Sequence, residues 1–204
     1  PGGFAHQGAN CIILCNEEGY HRVGARYLTA ATGMTMREVK DNPAKARELY
    51  APVKERIKIK DATGRDMNWV ESICKSYKPD IVLLDMGDKF AKTGGFARTD
   101  EALKANAVHA RMIAKQHECA IFYMSQLSAD AEGKVLLNQS MMEGSRTGKA
   151  AEADLMVLIA KNPVVDGQEE EDTQRHLNVV KNKLTGWHGV VHCELEYQTA
   201  RYTV

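Results

Sequence analysis

Acidic side chains follow two apolar segments of this chain, and they are the residues whose types and spacing could do chemistry. Glu17 and Glu18 come shortly after the apolar run Cys11–Cys15, and Asp85 directly follows the run Ile81–Leu84. Buried parallel strands that end in carboxylates bring them to the same edge of a sheet, where they can hold Mg²⁺ and orient water toward a nucleotide. The sequence therefore predicts a phosphate-transfer site at this edge.

Length and composition favour one soluble α/β domain. The chain has 204 residues, of which 44% are hydrophobic, enough for a substantial core. Lys and Arg together number 27, as do Asp and Glu, so a nucleic-acid partner would have to be met by a local patch of positive charge. No signal peptide or membrane-spanning apolar run occurs, and we expect a soluble cytoplasmic protein without a membrane partner.

The cysteines show no C-x-x-C spacing, and most of them lie within apolar strand or helix patterns. Thiols in such surroundings are typical of reduced core side chains, so we predict neither disulfides nor a zinc site. The residues concerned are Cys11, Cys15, Cys74, Cys119 and Cys193.

Apolar runs alternate with segments of helical period through most of the chain. Helices are predicted from Glu18 to Gly33, from the capping box at Thr35, between Pro43 and Pro52, from Asp66 to Pro79, and over residues 101–118. Strands are predicted over Cys11–Cys15, Ile57–Lys60, Ile81–Leu84, Cys119–Met124 and Leu155–Ala160, and the last two are expected to be buried.

The C-terminal part of the chain changes character. Leu177–Leu184, Val190–Tyr197 and Arg201–Val204 are separated by turn residues, a pattern that indicates antiparallel hairpins. The predicted fold is therefore α/β, with a mostly parallel sheet flanked by helices and with C-terminal antiparallel hairpins, in a single domain of residues 1–204.

Five short motifs carry a resemblance to a known family. They are Asn16-Glu17-Glu18, Leu83-Leu84-Asp85, Tyr123–Leu127, Gly144-Ser145 followed by Ala151–Met156, and Val180–Gly186. In this order the sequence resembles the RecA-like P-loop NTPase core of replicative ring helicases, the DnaB-type enzymes and, more closely, the helicase half of bacteriophage primase-helicases. The resemblance covers nearly the whole chain. It implies hydrolysis of ATP or another NTP, with Mg²⁺, coupled to translocation on single-stranded DNA and duplex unwinding.

The resemblance implies roles for the acids and for one amide. Glu17 would be the general base that polarises the water attacking the γ-phosphate, although Glu18 could be that base, and both could instead cap the next helix. Asp85 would hold Mg²⁺ through a water molecule, as the Walker B acid does. Gln126 would contact the γ-phosphate and relay its loss toward DNA, unless it only satisfies backbone groups of its loop.

Cations of the loop region are implied to contact DNA. The segment from Ser128 to Ser145 resembles the mobile central-channel loops of the family. Lys134, Arg146 and Lys149 would track the phosphate backbone of single-stranded DNA, or each could be an ordinary surface charge. The implied assembly is a homo-oligomer, a hexameric ring in the intact protein, that works with replication proteins in a bacterial or phage-infected cell.

Two lysines are predicted to share one face of the terminal strand, because they are two residues apart. In the family this strand reaches the nucleotide of the neighbouring subunit. Lys183 takes the position of an arginine finger, and Lys181 could share the role, although lysine lacks the planar fork of arginine. Both could instead be solvated lysines that discourage strand pairing.

The sequence contains no phosphate loop of the form G-x-x-x-x-G-K-[ST]. Gly144–Ala150 comes closest, but three residues separate its glycines instead of four, and Ala150 stands where Mg²⁺ needs a hydroxyl group. We therefore assign this segment to the channel loop and expect a domain truncated before its first strand and phosphate loop, which binds no cofactor alone and is inactive alone. The alternatives are a RecA/RadA-type recombinase, another ring ATPase, or a non-catalytic assembly module.

Overall fold

The computed structural model describes residues 2–92, 94–95, 98–144, 146–163 and 172–204. The chain divides into two compact units, Pro1–Ser125 with Gln198–Ala200, and Gln126–Tyr197 with Arg201–Val204. That residues 1–204 form one domain stays a prediction, and each unit is described by itself below.

The first unit contains a parallel four-stranded sheet. Its strands are β1 (Cys11–Cys15), β2 (Ile57–Asp61), β3 (Ile81–Asp85) and β4 (Ala120–Tyr123), in the order β2-β1-β3-β4. All three pairings are parallel, and every residue of β1 is buried. The predicted parallel sheet is confirmed, with β1 and β3 as its central strands.

Six helices of the described residues accompany this sheet. They are α1 (Gly2–His6), α2 (Tyr20–Thr32), α3 (Met36–Asp41), α4 (Pro43–Lys54), α5 (Met67–Tyr77) and α6 (Thr99–Gln116). The predicted caps are confirmed: the Thr35 hydroxyl accepts from the Glu38 N–H, and Asp66 Oδ1 accepts from the Trp69 N–H at 2.9 Å. Gly33 ends α2 in the left-handed region, at φ 71°, which glycine adopts without steric cost.

The sheet is covered on both faces, because alternate residues of a strand point to opposite sides. Ile12 and Leu14 join one core cluster with residues of α5 and α6, including Val70 and Ile113. Cys11, Ile13 and Cys15 join a second cluster with Val23 and Val53, which come from α2 and α4. The five cysteines of the chain are all free and buried, as predicted.

The second unit contains an antiparallel sheet. Helix α7 (Arg146–Glu152) precedes β5 (Leu155–Lys161), β6 (Gln174–Asn182), β7 (Gly189–Glu196) and β8 (Arg201–Thr203), which pair in the order β5-β6-β7-β8. Met156, Leu158 and Ala160 of β5 are buried in a cluster with Leu137 and Met141. The predicted C-terminal hairpins are confirmed.

Three local predictions are wrong. Strand β4 was expected to be buried, but Ala120 and Phe122 are exposed, and β4 is an edge strand of its sheet. Strand β5 was expected to be buried throughout, yet it alternates, because its sheet is packed on one face only along this strand. The segment Gly144–Ala150 was assigned to a loop, but from Arg146 onward it belongs to α7.

Two helices also differ in detail from expectation. Pro52 lies inside α4, near its end, instead of stopping it. Tyr77 was expected on the buried face of α5, but its ring is exposed, with Lys60 Nζ 4.7 Å from the ring centroid. In the part of the chain that the structure describes, no helix is long and apolar enough to cross a membrane.

Candidate active site

The candidate site lies in the first unit, where β1 and β3 end side by side. Cys15 is in register with Asp85, and the Asn16 N–H donates to the Asp85 carbonyl at 2.8 Å. Asn16 Oδ1 in turn accepts from the Met86 N–H at 2.7 Å. This cross-strand connection fixes the two strand ends to each other, so the acids that follow them meet at one edge of the sheet, as the sequence predicts.

The electrostatics of this edge are dominated by carboxylates. Burial and the nearby charge of Glu17 raise the pKa of Asp85, against the opposing charges of Arg26 and Lys89. Burial, followed by the charges of Asp85 and Asp61, also raises the pKa of the Cys15 thiol to about 11. An edge that disfavours further negative charge is suited to a divalent cation.

The two neighbouring acids have different partners. Glu17 Oε1 accepts from Lys89 Nζ at 2.6 Å, so this carboxylate is tied to the segment that follows β3. Glu18 forms an ion pair with Arg26 of α2. The structure therefore brings Glu17, Glu18 and Asp85 together, and the choice between Glu17 and Glu18 as general base remains a prediction.

A residue that sequence reasoning treated as an ordinary loop residue, Asp88, joins two elements of the site. It lies in a 3₁₀ turn after β3, where its Oδ1 accepts from the Tyr123 hydroxyl at 3.1 Å and its Oδ2 from the Ser125 hydroxyl at 2.5 Å. Gly87 allows this approach, because a Cβ atom there would lie 2.6 Å from the Tyr123 ring. No local sequence signal could have found Asp88, since its partners come 35 and 37 residues later.

Gln126, the predicted γ-phosphate sensor, belongs to the second unit. Its side chain is exposed, and its carbonyl accepts from the Glu143 N–H at 3.1 Å. Leu127 and Met142 form an isolated antiparallel bridge next to this bond. The sensor role of Gln126 stays a prediction.

The predicted DNA-contacting cations have unequal environments. Lys134 is exposed, whereas the Lys149 side chain in α7 is only 5% exposed. Arg146 begins α7, and its side chain lies outside the described residues, as does Ser145. Burial of Lys149 argues against its being a free surface charge, so Lys134 fits a DNA contact better.

The two predicted trans-acting lysines do not form a pair along one strand, because β6 ends at Asn182. Lys181 Nζ donates to the carbonyl oxygens of Ala150 and Ala151 at the end of α7. The Lys183 N–H donates to the Asp154 carbonyl at 2.8 Å, and its Nζ lies 3.4 Å from Asp154 Oδ1. Of the two, Lys183 is the more exposed.

Comparison with solved structures places the whole architecture. A solved structure of a helicase ATPase domain superimposes with a TM-score of 0.85 at 15% identity, over 98% of this chain and 76% of that one. A structure of a DnaB-like replicative helicase and its interactions with primase gives a TM-score of 0.79, also at 15% identity, over 97% of this chain and 51% of that one. The chain has the fold of a DnaB-like helicase ATPase domain.

The DnaB-like fold is recognised by structure and not by sequence. No family model matches the chain, and no curated protein matches it. The chain spans about three quarters of the length of one solved helicase domain and about half of the other structure. The predicted RecA-like α/β fold is confirmed by this likeness.

The described residues of this DnaB-like chain fit part of a nucleotide site. Asp85 and Glu17 offer the oxygen ligands that Mg²⁺ and its waters require. Asn16 Nδ2 is buried without a hydrogen-bond partner among the described residues, so it is available to donate to a ligand oxygen. A cradle of backbone N–H groups for phosphates is not part of the described segments, so the residues at hand fit the metal and its water better than the phosphates.

Proposed function

We propose that this chain is part of an ATP-dependent replicative DNA helicase, which couples NTP hydrolysis to translocation on single-stranded DNA and duplex unwinding. The observation that carries the proposal is the meeting of Glu17 and Asp85 at the carboxyl ends of β1 and β3 in a DnaB-like fold. Ligands of open parallel sheets bind at the carboxyl ends of the strands, where these acids lie.

Each residue has a separate part in the proposed reaction. Asp85 holds Mg²⁺ through a water molecule, and the ion neutralises charge on the phosphates when it is bound. Glu17 orients the attacking water and accepts its proton, or Glu18 does so in its place. Gln126 senses the γ-phosphate. Lys183, supported by Lys181, reaches the nucleotide of a neighbouring subunit as a point charge.

The partners follow from the same proposal. Single-stranded DNA would contact Lys134 and Arg146 through its phosphates, while Lys149 would need to leave its buried position to take part. The working assembly would be a hexameric ring of identical chains, acting with other replication proteins in the cytoplasm of a bacterial or phage-infected cell.

The proposal is tested on the complete gene product that contains residues 1–204. We expect DNA-stimulated ATPase activity and unwinding of forked DNA, and Glu17→Gln should lower turnover by about 10² or more while nucleotide and DNA binding persist. Glu18→Gln is the matched control for the neighbouring acid. An effect on Glu18→Gln alone would transfer the role of general base to Glu18, and an effect on neither would remove both acids from the reaction.

The trans role of Lys183 has its own test in the assembled ring. Lys183→Ala subunits mixed with Glu17→Gln subunits form some sites that contain both an intact Glu17 and an intact Lys183. Mixed rings should therefore regain ATPase activity that neither homogeneous ring has. No recovery, despite demonstrated co-assembly, would remove Lys183 as the cation that acts across the subunit boundary.

The isolated chain provides the contrast between two functions. Because residues 1–204 contain no phosphate-loop motif, we expect no ATP hydrolysis and a dissociation constant for ATP of about 1 mM or weaker. The same feature favours a second candidate, a non-catalytic assembly module with a RecA-like surface. Micromolar ATP binding by calorimetry would contradict the expectation for the chain alone, and an inactive complete gene product that still assembles with its neighbours would favour the module.

A further inference from the structure

Two histidines face each other across the antiparallel pair β6–β7, away from the acids of β1 and β3. His176 and His192 are directly opposite in the strand register, and their Nδ1 atoms lie 2.8 Å apart. Their rings are nearly perpendicular, with centroids 5.0 Å apart. His176 is 6% exposed, whereas His192 is open to solvent. One nitrogen of a buried ring therefore meets one nitrogen of an accessible ring.

A chain of polar side chains fixes the state of the buried ring. His176 Nε2 lies 2.9 Å from Asn162 Oδ1, which can only accept, so Nε2 carries the proton. The amide of Asn162 is itself oriented, because its Nδ2 donates to Asp172 Oδ1 at 3.2 Å and its N–H donates to Asp172 Oδ2 at 3.0 Å. Neutral His176 thus presents the lone pair of Nδ1 toward His192.

This arrangement is the one that metal-binding histidines require. A histidine ligand donates its second ring N–H to an oriented oxygen, which holds the ring and its tautomer in place. Two nitrogens that bind one ion at 2.0–2.1 Å, at angles between right-angled and tetrahedral, are about 2.9–3.4 Å apart. The observed Nδ1 separation of 2.8 Å is near the lower end of that range, and the exposed His192 ring can turn to widen it.

We propose that His176 and His192 form a binding site for a late first-row divalent transition-metal ion, with Nδ1 of each ring as a ligand. Imidazole nitrogens suit Zn²⁺, Ni²⁺ and Cu²⁺ and do not suit Mg²⁺ or Ca²⁺. Binding needs no net loss of a proton from the neutral pair, because His192 can move its proton to Nε2. Asn162 acts as a positioning residue for His176.

The remaining coordination positions belong to solvent. Among the residues that the structure describes, no group of three or more histidine, cysteine or carboxylate side chains is gathered around one point. Water therefore completes the shell on the exposed side of His192. Such an open site is expected to be exchangeable, and it is independent of the proposed helicase function.

The experiment titrates the isolated chain with Zn²⁺ under reducing conditions and follows binding by calorimetry. We expect one saturable site per chain, lost in His192→Ala. His188→Ala is the matched control, since His188 is an exposed histidine in the turn between the same two strands. Asn162→Ala leaves both ligands in place and should weaken Zn²⁺ binding by about 10-fold or more, the usual effect of removing a residue that orients a ligand.

Histidine side-chain NMR distinguishes this site from binding elsewhere. On addition of Zn²⁺ the Nδ1 resonances of two histidines should shift together while their Nε2 atoms keep protons, and the His192→Ala chain should show neither shift. Stoichiometric binding that survives His192→Ala, coordination through Nε2, or the absence of any saturable site would each overturn the proposal. The His192→Ala chain must keep its circular dichroism spectrum, and because His192 is exposed we expect it to do so.

Discussion

Asp85 has a raised pKa, and this has a consequence for stability that the isolated chain can report. The native state keeps the Asp85 proton to a higher pH than the unfolded chain, whose carboxyl has the ordinary pKa of 3.8. Stability is therefore lost as pH rises from 3.8 through the native pKa, and the loss is complete above it. Asp85→Asn should raise the midpoint of urea unfolding at pH 7 and leave it nearly unchanged at about pH 3.

A neighbouring acid provides a control of opposite sign. Hydrogen bonds from the Thr63 side chain and backbone hold the pKa of Asp61 below its ordinary value. Ionised Asp61 therefore stabilises the fold at neutral pH, and Asp61→Asn should lower the midpoint at pH 7. If Asp85→Asn also lowered it, the proposed crowding of negative charge at the edge of the sheet would be wrong.

Asp88 gives a second prediction at the residue scale. The hydroxyls of Tyr123 and Ser125 both donate to its carboxylate, and a hydrogen bond to a charged group contributes about 1.5–3 kcal/mol. Tyr123→Phe and Ser125→Ala should each destabilise the chain by about that amount in urea unfolding, and the double variant by an amount that differs from the sum, because both bonds share one acceptor. Full stability of both single variants would show that Asp88 does not join β4 to the turn after β3.

Helix starts in this chain are encoded locally, and the sequence identifies them well. Thr35 and Asp66 were recognised as caps because their partners lie three residues ahead. The environment of β4 could not be recognised in the same way, because Ala120–Tyr123 has the composition of a buried strand and only the sheet order shows that it is an edge. Burial of Lys149 is likewise a product of packing around α7 that no spacing rule contains.

The capping box of α3 yields a prediction at the element scale. The Thr35 side chain and backbone both bond with Glu38, which satisfies two groups at the start of the helix. Thr35→Ala should cost about 1 kcal/mol of unfolding free energy in urea denaturation, while Thr35→Ser should keep most of it. A cost of Thr35→Ser equal to that of Thr35→Ala would show that the hydroxyl is not the stabilising group.

At the scale of the whole molecule, the parallel sheet and the C-terminal hairpins were both predictable from the sequence. The apolar runs of β1 and β3 indicate strands buried on two faces, and the spacing of β6 to β8 indicates hairpins. The division into two compact units was not predictable, because it depends on where the chain packs against itself and not on any linker composition. The edge formed by Glu17 and Asp85 was predictable from strand ends alone, whereas the tie through Asp88 was not.

The two edges of the first sheet differ in composition, and this predicts how the chain behaves when it is concentrated. Strand β2 bears Lys58 and Lys60, charges that discourage a second molecule from adding a strand, whereas β4 presents Phe122, which is 40% exposed, along the backbone of an edge strand. Self-association and precipitation should therefore begin at β4. Phe122→Lys should lower light scattering at high protein concentration, and Lys58→Phe, at the opposite edge, should raise it. Equal scattering by the two variants, both still folded, would place the aggregation-prone surface elsewhere.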